Sequence, residues 1–99
     1  MFARLSTYQG SPVPATGDVA ASSEAIVQRV RDVPGFRGVY YLVDRASGRA
    51  MSLTLWEDER TMRESEDRGA QIREETAQRE GQRIVSVERF EVGFGHLEP

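Results

Sequence analysis

The chain has 99 residues, 38% hydrophobic and 29% charged, with a net charge of −3, which describes one small globular domain over 1–99 rather than a disordered or fibrous segment. An acidic balance argues against nucleic acid as a main partner. The lack of cysteine removes disulfides and thiolate chemistry, a lone histidine, His96, cannot build a His-rich metal cage, and a carboxylate metal site has no supporting spacing, so no metal is expected.

No apolar run approaches the roughly 20 residues of a spanning helix. The opening M-F-A-R-L-S-T-Y-Q lacks the pattern of a secretory signal, so the expected location is cytoplasmic. All 13 basic residues are Arg, and neither Lys nor Asn occurs, a pattern that reads as a base-composition habit of the genome.

In chain order, Phe2 to Gln9 alternates mildly through Phe2, Leu5, Thr7 and Tyr8 and reads as a first strand. Pro12 and Pro14 make the following stretch a loop. Asp18 is the expected N-cap of a helix from about Val19 to Val33, with Ile26, Val30 and Val33, flanked by Val27 and Ala21, on its apolar side. Pro34 and Gly35 end it.

Phe36 to Asp44 and Arg49 to Trp56 read as the two strands of a hairpin. A two-residue Ser47-Gly48 turn would set Val43 opposite Ser52, Tyr41 opposite Thr54 and Val39 opposite Trp56. One face then carries Val39, Tyr41, Val43, Ser52, Thr54 and Trp56, and the other Tyr40, Leu42, Met51, Leu53 and Leu55. Both faces are too apolar to be wet, so the second needs a cover, and a second copy of the chain is the simplest one.

A charged helical region follows from Glu57 to Gly81, with Glu57, Asp58 and Glu59 crowding its start as the helix dipole prefers. Glu59–Arg63, Glu64–Arg68 and Glu75–Arg79 have i,i+4 spacing, each pair worth about 0.2–0.5 kcal/mol. Its inner stripe is Met62, Ser65, Gly69, Ile72 and Thr76, and Gly69 is the expected break between a short and a longer helix. Arg83 to Val92 alternates and reads as the last strand, leaving a short tail. The order βαββαβ predicts an α+β, ferredoxin-like fold: a four-stranded antiparallel sheet with helices on one face.

Three stretches, P-G-F-R-G at 34–38, W-E-D-E at 56–59 and R-F-E-V at 89–92, resemble the antibiotic-biosynthesis-monooxygenase-like (ABM-like) domains of the dimeric α/β-barrel superfamily. The resemblance spans nearly the whole chain. It implies a homodimeric α/β barrel with two sheets packed through Tyr40, Leu42, Met51, Leu53 and Leu55. It also implies a small-molecule pocket between each sheet and its own helices, with Trp56, Tyr41, Ser52 and Thr54 on the strand side and Met62 and Ile72 on the roof.

Members include cofactor-independent oxygenases of polycyclic phenols, haem-degrading enzymes, isomerases and many proteins of unknown function. This chain lacks the Asn, the helix Trp and the helix His of the haem degraders, which argues against haem degradation. The function the resemblance implies is a cofactor-independent oxygenase, or a related enzyme, acting on a small aromatic or quinone-like molecule, with catalytic residues unassigned. The alternative is a non-catalytic small-molecule-binding or dimerisation module with a filled core.

Trp56 either fills the core, giving its indole N–H to a backbone carbonyl, or walls a planar ligand. Tyr41 is a phenol donor or a half-buried strand residue. Ser52 and Thr54 leave a cavity or let a helix approach closely. His96 has a suitable pKa for proton transfer but lies in a Gly-flanked tail, where an exposed, inert side chain is expected. The volume beside Trp56 discriminates: a few hundred Å³ favours the enzyme, and a collapsed site the filled module.

Overall fold

A computed structural model describes residues 1–99, the side chains of Ala21 and Ser22 excepted, so the expectation for Ala21 lies outside the described side chains. The elements are β1 (Phe2–Gln9), α1 (Ala21–Val30), β2 (Phe36–Asp44), β3 (Arg49–Trp56), α2 (Glu59–Glu64), α3 (Glu66–Glu80) and β4 (Arg83–Glu91). The strands form one antiparallel sheet in the order β2-β3-β1-β4. This is the ferredoxin-like α+β arrangement, with its second helical segment in two pieces.

The hairpin register differs from the expected one by two residues. Tyr41 lies opposite Ser52, Val39 opposite Thr54 and Asp44 opposite Arg49. The turn takes four residues instead of two because it has its own hydrogen bonds. The Gly48 N–H donates to the Asp44 carbonyl at 2.9 Å. Ala46 N–H donates to Asp44 Oδ1 at 3.1 Å, and Arg49 N–H to Ser47 Oγ at 3.2 Å. A slip of two leaves every side chain on its expected face, since strand side chains alternate with period two.

α1 is shorter than its apolar spacing suggested. Its N-cap is Ala20, and Asp18 instead accepts the Ala20 N–H at 2.8 Å, turning the chain just before the helix. At the other end the helix stops at Val30, because Pro34 disfavours helical geometry in Val33, and Val33 closes a turn by donating to the Val30 carbonyl at 3.0 Å. α2 begins on Asp58, whose Oδ1 accepts the Thr61 N–H at 2.8 Å while Thr61 Oγ1 accepts the Asp58 N–H at 3.4 Å. This reciprocal pair is a capping box, and the bonds from Thr61 hold the Asp58 carboxyl below its ordinary pKa.

The break between the last two helices falls at Ser65, not Gly69. Ser65 Oγ donates to the Met62 carbonyl at 2.6 Å, and Arg4 Nη2 donates to the same carbonyl at 2.8 Å. A side chain bonding back to the preceding turn bends a helix, and Gly69 stays inside α3. The charged pairs also regroup. Glu59 meets Arg63 as spaced, whereas Glu64 pairs with Arg60, Arg79 lies beside Glu80, and Glu75 reaches across to Arg29 of α1.

Val30, Trp56, Met62 and Ile72 form the main core, with Phe2, Ile26, Val33 and Phe36 packed against it. A smaller group of Tyr8, Ala50 and Ala77 holds the far end. On the opposite face of the sheet Tyr40 and Leu42 remain 46% and 44% exposed, and Met51, Leu53 and Leu55 are half-buried. A single copy therefore leaves a contiguous apolar sheet face in water.

Candidate functional site

Adjacent strands place Ser6, Tyr8, Tyr41, Ser52, Thr54 and Trp56 on the helix-facing side of the sheet, because each occupies an alternate position of its strand. Over them lie Ile26, Val30, Ile72 and Thr76 from α1 and α3, and the two layers enclose a cavity of about 60 Å³. Of the expected site residues, Trp56, Tyr41, Ser52, Thr54 and Ile72 line this cavity. Met62 does not. It is 3% exposed in the core with Trp56, since the bend at Ser65 carries α2 over the end of the sheet.

Trp56 is 1% exposed, and its indole N–H donates to Thr54 Oγ1 at 3.0 Å rather than to a backbone carbonyl. Phe36 meets its ring edge-on, with centroids 5.7 Å apart. The Tyr41 hydroxyl accepts from Gln82 Nε2 at 3.2 Å, and the Tyr8 hydroxyl lies 3.5 Å from Ser52 Oγ. His96 sits in the tail with its ring 63% exposed, 2.8 Å from Glu98, and lines no part of the cavity.

Of the lining residues that sequence reading missed, Arg4 is the most buried charged one. It lies in a cavity wall at 3% exposure, with its guanidinium 5.3 Å from the Trp56 ring centroid. Nη2 donates to the Met62 carbonyl and to Ser65 Oγ, both at 2.8 Å, and stands 3.1 Å from Glu66. Nε is buried without a partner. A usable signal was present: Arg4 alternates with Phe2, Ser6 and Tyr8, so a strand whose Phe2 faces the helices must turn Arg4 inward as well.

Glu66 joins Arg4 to Arg89, which donates to both of its carboxylate oxygens at 2.8 and 2.7 Å. These bonds from Arg89, with help from Arg4 and against partial burial, pull the Glu66 pKa down from 4.5 to about 2. Burial pushes the Arg4 guanidinium below its ordinary value and Glu66 partly restores it, while the bond to Glu66 raises Arg89. Chemically, the cavity presents aromatic faces, hydroxyls and guanidiniums. Among the described residues it has no carboxylate, histidine or lysine to move a proton near neutrality. Nor do three His, Cys, Asp or Glu side chains converge as a metal set among the described residues.

A crystal structure of a protein from Deinococcus radiodurans, provisionally assigned as an antibiotic biosynthesis monooxygenase, covers 100% of this chain and 99% of its own at a TM-score of 0.64. The fold is that of the ABM-like domains. Identity between the two is 15%, so the likeness extends to the ABM-like fold alone. No family model matches the chain.

By sequence, the uncharacterised protein Rv2558 of Mycobacterium tuberculosis H37Rv is 32% identical over 77 residues, which are 78% of this chain and 33% of that protein. The uncharacterised Rv2557 of the same strain is 28% identical over 96 residues, 97% of this chain and 42% of its own length. The chain thus spans less than half the length of these relatives, each of which carries a stretch similar to it. No helix among the described residues is long and apolar enough to cross a membrane.

Proposed function

We propose that this chain acts as a homodimeric small-molecule-binding domain of ABM-like fold, with the cavity between sheet and helices as its ligand site. The observation that carries the reading is a partly open cavity lined by Trp56, Tyr41, Ile72 and small hydroxyl side chains. An apolar hollow with a few converging polar groups is the usual form of a ligand site. Its volume of about 60 Å³ holds roughly four to six waters at about 10–15 Å³ each, well below the roughly 300–1,000 Å³ of sites for larger ligands. That size favours binding of a small molecule, one ring at most, over turnover of a polycyclic phenol.

The dimer is the second element of the proposal. Tyr40 and Leu42, 46% and 44% exposed, with Met51, Leu53 and Leu55 beside them, make an apolar face whose burial against its own copy would remove it from water. Sedimentation at micromolar concentration should find a dimer, and a monomer overturns this element.

A cofactor-independent oxygenase acting on a small aromatic or quinone-like molecule is the second reading, favoured by the Deinococcus radiodurans protein that shares the fold. The cavity supplies no side chain suited to general base work near neutral pH, so in that reading the ligand must lose its own proton to water before meeting oxygen. Quenching of Trp56 fluorescence by monocyclic quinones and phenols, followed by oxygen-electrode assays with the same compounds, separates the two readings. Quenching without oxygen uptake supports the binding domain; oxygen uptake supports the enzyme. No quenching by any compound removes the ligand site.

A further inference from the structure

We propose that the cavity selects an anion: a small aromatic acid whose ring lies against Trp56 and Ile72 and whose carboxylate is held by Arg73. The inference rests on the reading of this cavity as the ligand site and names the charge and class of its ligand.

Arg4, Arg68 and Arg73 are among the residues of a mostly apolar lining, and that lining includes no Asp or Glu. Glu66 lies 3.1 Å from Arg4 but is bonded through both oxygens to Arg89, so one negative charge already serves two positive ones. Arg4 is 3% exposed, with Nη2 fully committed and Nε buried without any partner. A buried cation is stable when it is paired, and here the pairing is incomplete.

Arg73 adds the second charge. It is half-buried in the same lining and makes no hydrogen bond or ion pair among the described residues. Among the described residues Arg68 reaches only the Arg29 carbonyl, at 3.4 Å. Two like charges at the wall of an apolar, poorly screened cavity leave a positive potential inside it, and a bound anion relieves both at once. The planar guanidinium fork of Arg73 matches a carboxylate in geometry as well as charge. The rest of the lining, Trp56, Tyr8, Tyr41, Ile26, Val30 and Ile72, suits a flat apolar body attached to that charge.

The test compares benzoate with its neutral isostere benzamide by calorimetric titration, followed in parallel by emission from Trp56, the chain's one tryptophan. Benzoate should bind about 10- to 100-fold tighter than benzamide, the range of one charge-assisted hydrogen-bonded pair. In Arg73→Gln that preference should fall about 10-fold, while the unfolding midpoint stays put. Equal affinity for the two probes overturns the anion selectivity and leaves the ligand site standing. A preference that survives in Arg73→Gln overturns the role given to Arg73. No binding of either probe up to roughly 10 mM, a free energy weaker than about −3 kcal/mol, overturns both this inference and the binding reading beneath it.

Discussion

The guanidinium of Arg4 occupies the space that a side chain at Gly69 would need: a Cβ there would lie 2.7 Å from Arg4 Nη1. The central strand β1 and helix α3 therefore approach through one long side chain facing a position that has none. Gly→Ala inside a helix ordinarily gains about 1 kcal/mol. Here Arg4 is pinned by Met62, Ser65 and Glu66 and cannot swing aside without losing those contacts. Gly69→Ala should lower stability by about 1–2 kcal/mol in urea unfolding. In an Arg4→Met background the same change should instead stabilise by about 0.5–1 kcal/mol. A gain in the native background would mean that Arg4 is free to move.

Acid should weaken the fold through Glu66. Its pKa falls from 4.5 to about 2, so the native state favours the carboxylate. The resulting stability is fully present above pH 4.5 and is lost as pH drops toward 2, since the unfolded chain then takes up the proton first. The full shift is equivalent to about 3 kcal/mol, which solvent screening of this partly exposed ion pair reduces to about 1–2 kcal/mol. Glu66→Gln should flatten the stability profile between those pH values, and an unchanged acid limb in the variant counts against this origin.

The Trp56 indole N–H has Thr54 Oγ1 as its acceptor, 3.0 Å away in a buried environment. Thr54→Val keeps the shape and removes the acceptor, which should cost about 1–3 kcal/mol because the indole N–H is left unpaired. Thr54→Ser restores the hydroxyl and should recover most of that loss. Thermal unfolding of the two variants decides the matter; a Thr54→Val protein as stable as the parent would show that the indole N–H does not depend on this acceptor.

The two glycines of P-G-F-R-G at 34–38 should behave differently. Gly35 has φ of +85°, and a Cβ there would fall 2.3 Å from the Cβ and Oγ1 of Thr61. Gly35→Ala should cost about 2–3 kcal/mol from backbone strain alone, with the clash in addition. At Gly38 the nearest atom to a Cβ would be Leu55 Cδ1, at 3.8 Å. Gly38→Ala should change stability by less than about 0.5 kcal/mol. Comparable losses at both positions would show that the motif is not set by the approach of α2.

Leu42, 44% exposed in the apolar sheet face, tests the dimer without touching the cavity. Leu42→Arg should yield a monomer in sedimentation at roughly 10 μM while circular dichroism stays native, because an unpaired charge at an interface core is strongly disfavoured. A variant that remains dimeric places the interface elsewhere.

Much of the molecule was legible in residue patterns. Alternation in Phe36–Asp44 and Arg49–Trp56 assigned Trp56, Thr54, Ser52 and Tyr41 to one face and Tyr40, Leu42, Leu53 and Leu55 to the other, and a two-residue slip in register left that assignment intact. Of the stripe Met62, Ser65, Gly69, Ile72 and Thr76, all but the half-buried Gly69 are buried as their spacing demands. These features survive because periods of two and 3.6 residues are local properties of the backbone.

Only the tertiary structure decided the interior of the site. Arg4 takes its hydrogen-bond partners 58 and 61 residues along the chain, and no local pattern encodes such a pairing. The same contacts account for the break at Ser65, the glycine at 69 and the removal of Met62 from the cavity wall. The succession of elements along the chain and the face of each strand side chain follow from local periodicity. A buried charge is placed by whatever distant groups can pair with it, and that choice is made when the helices close over the sheet.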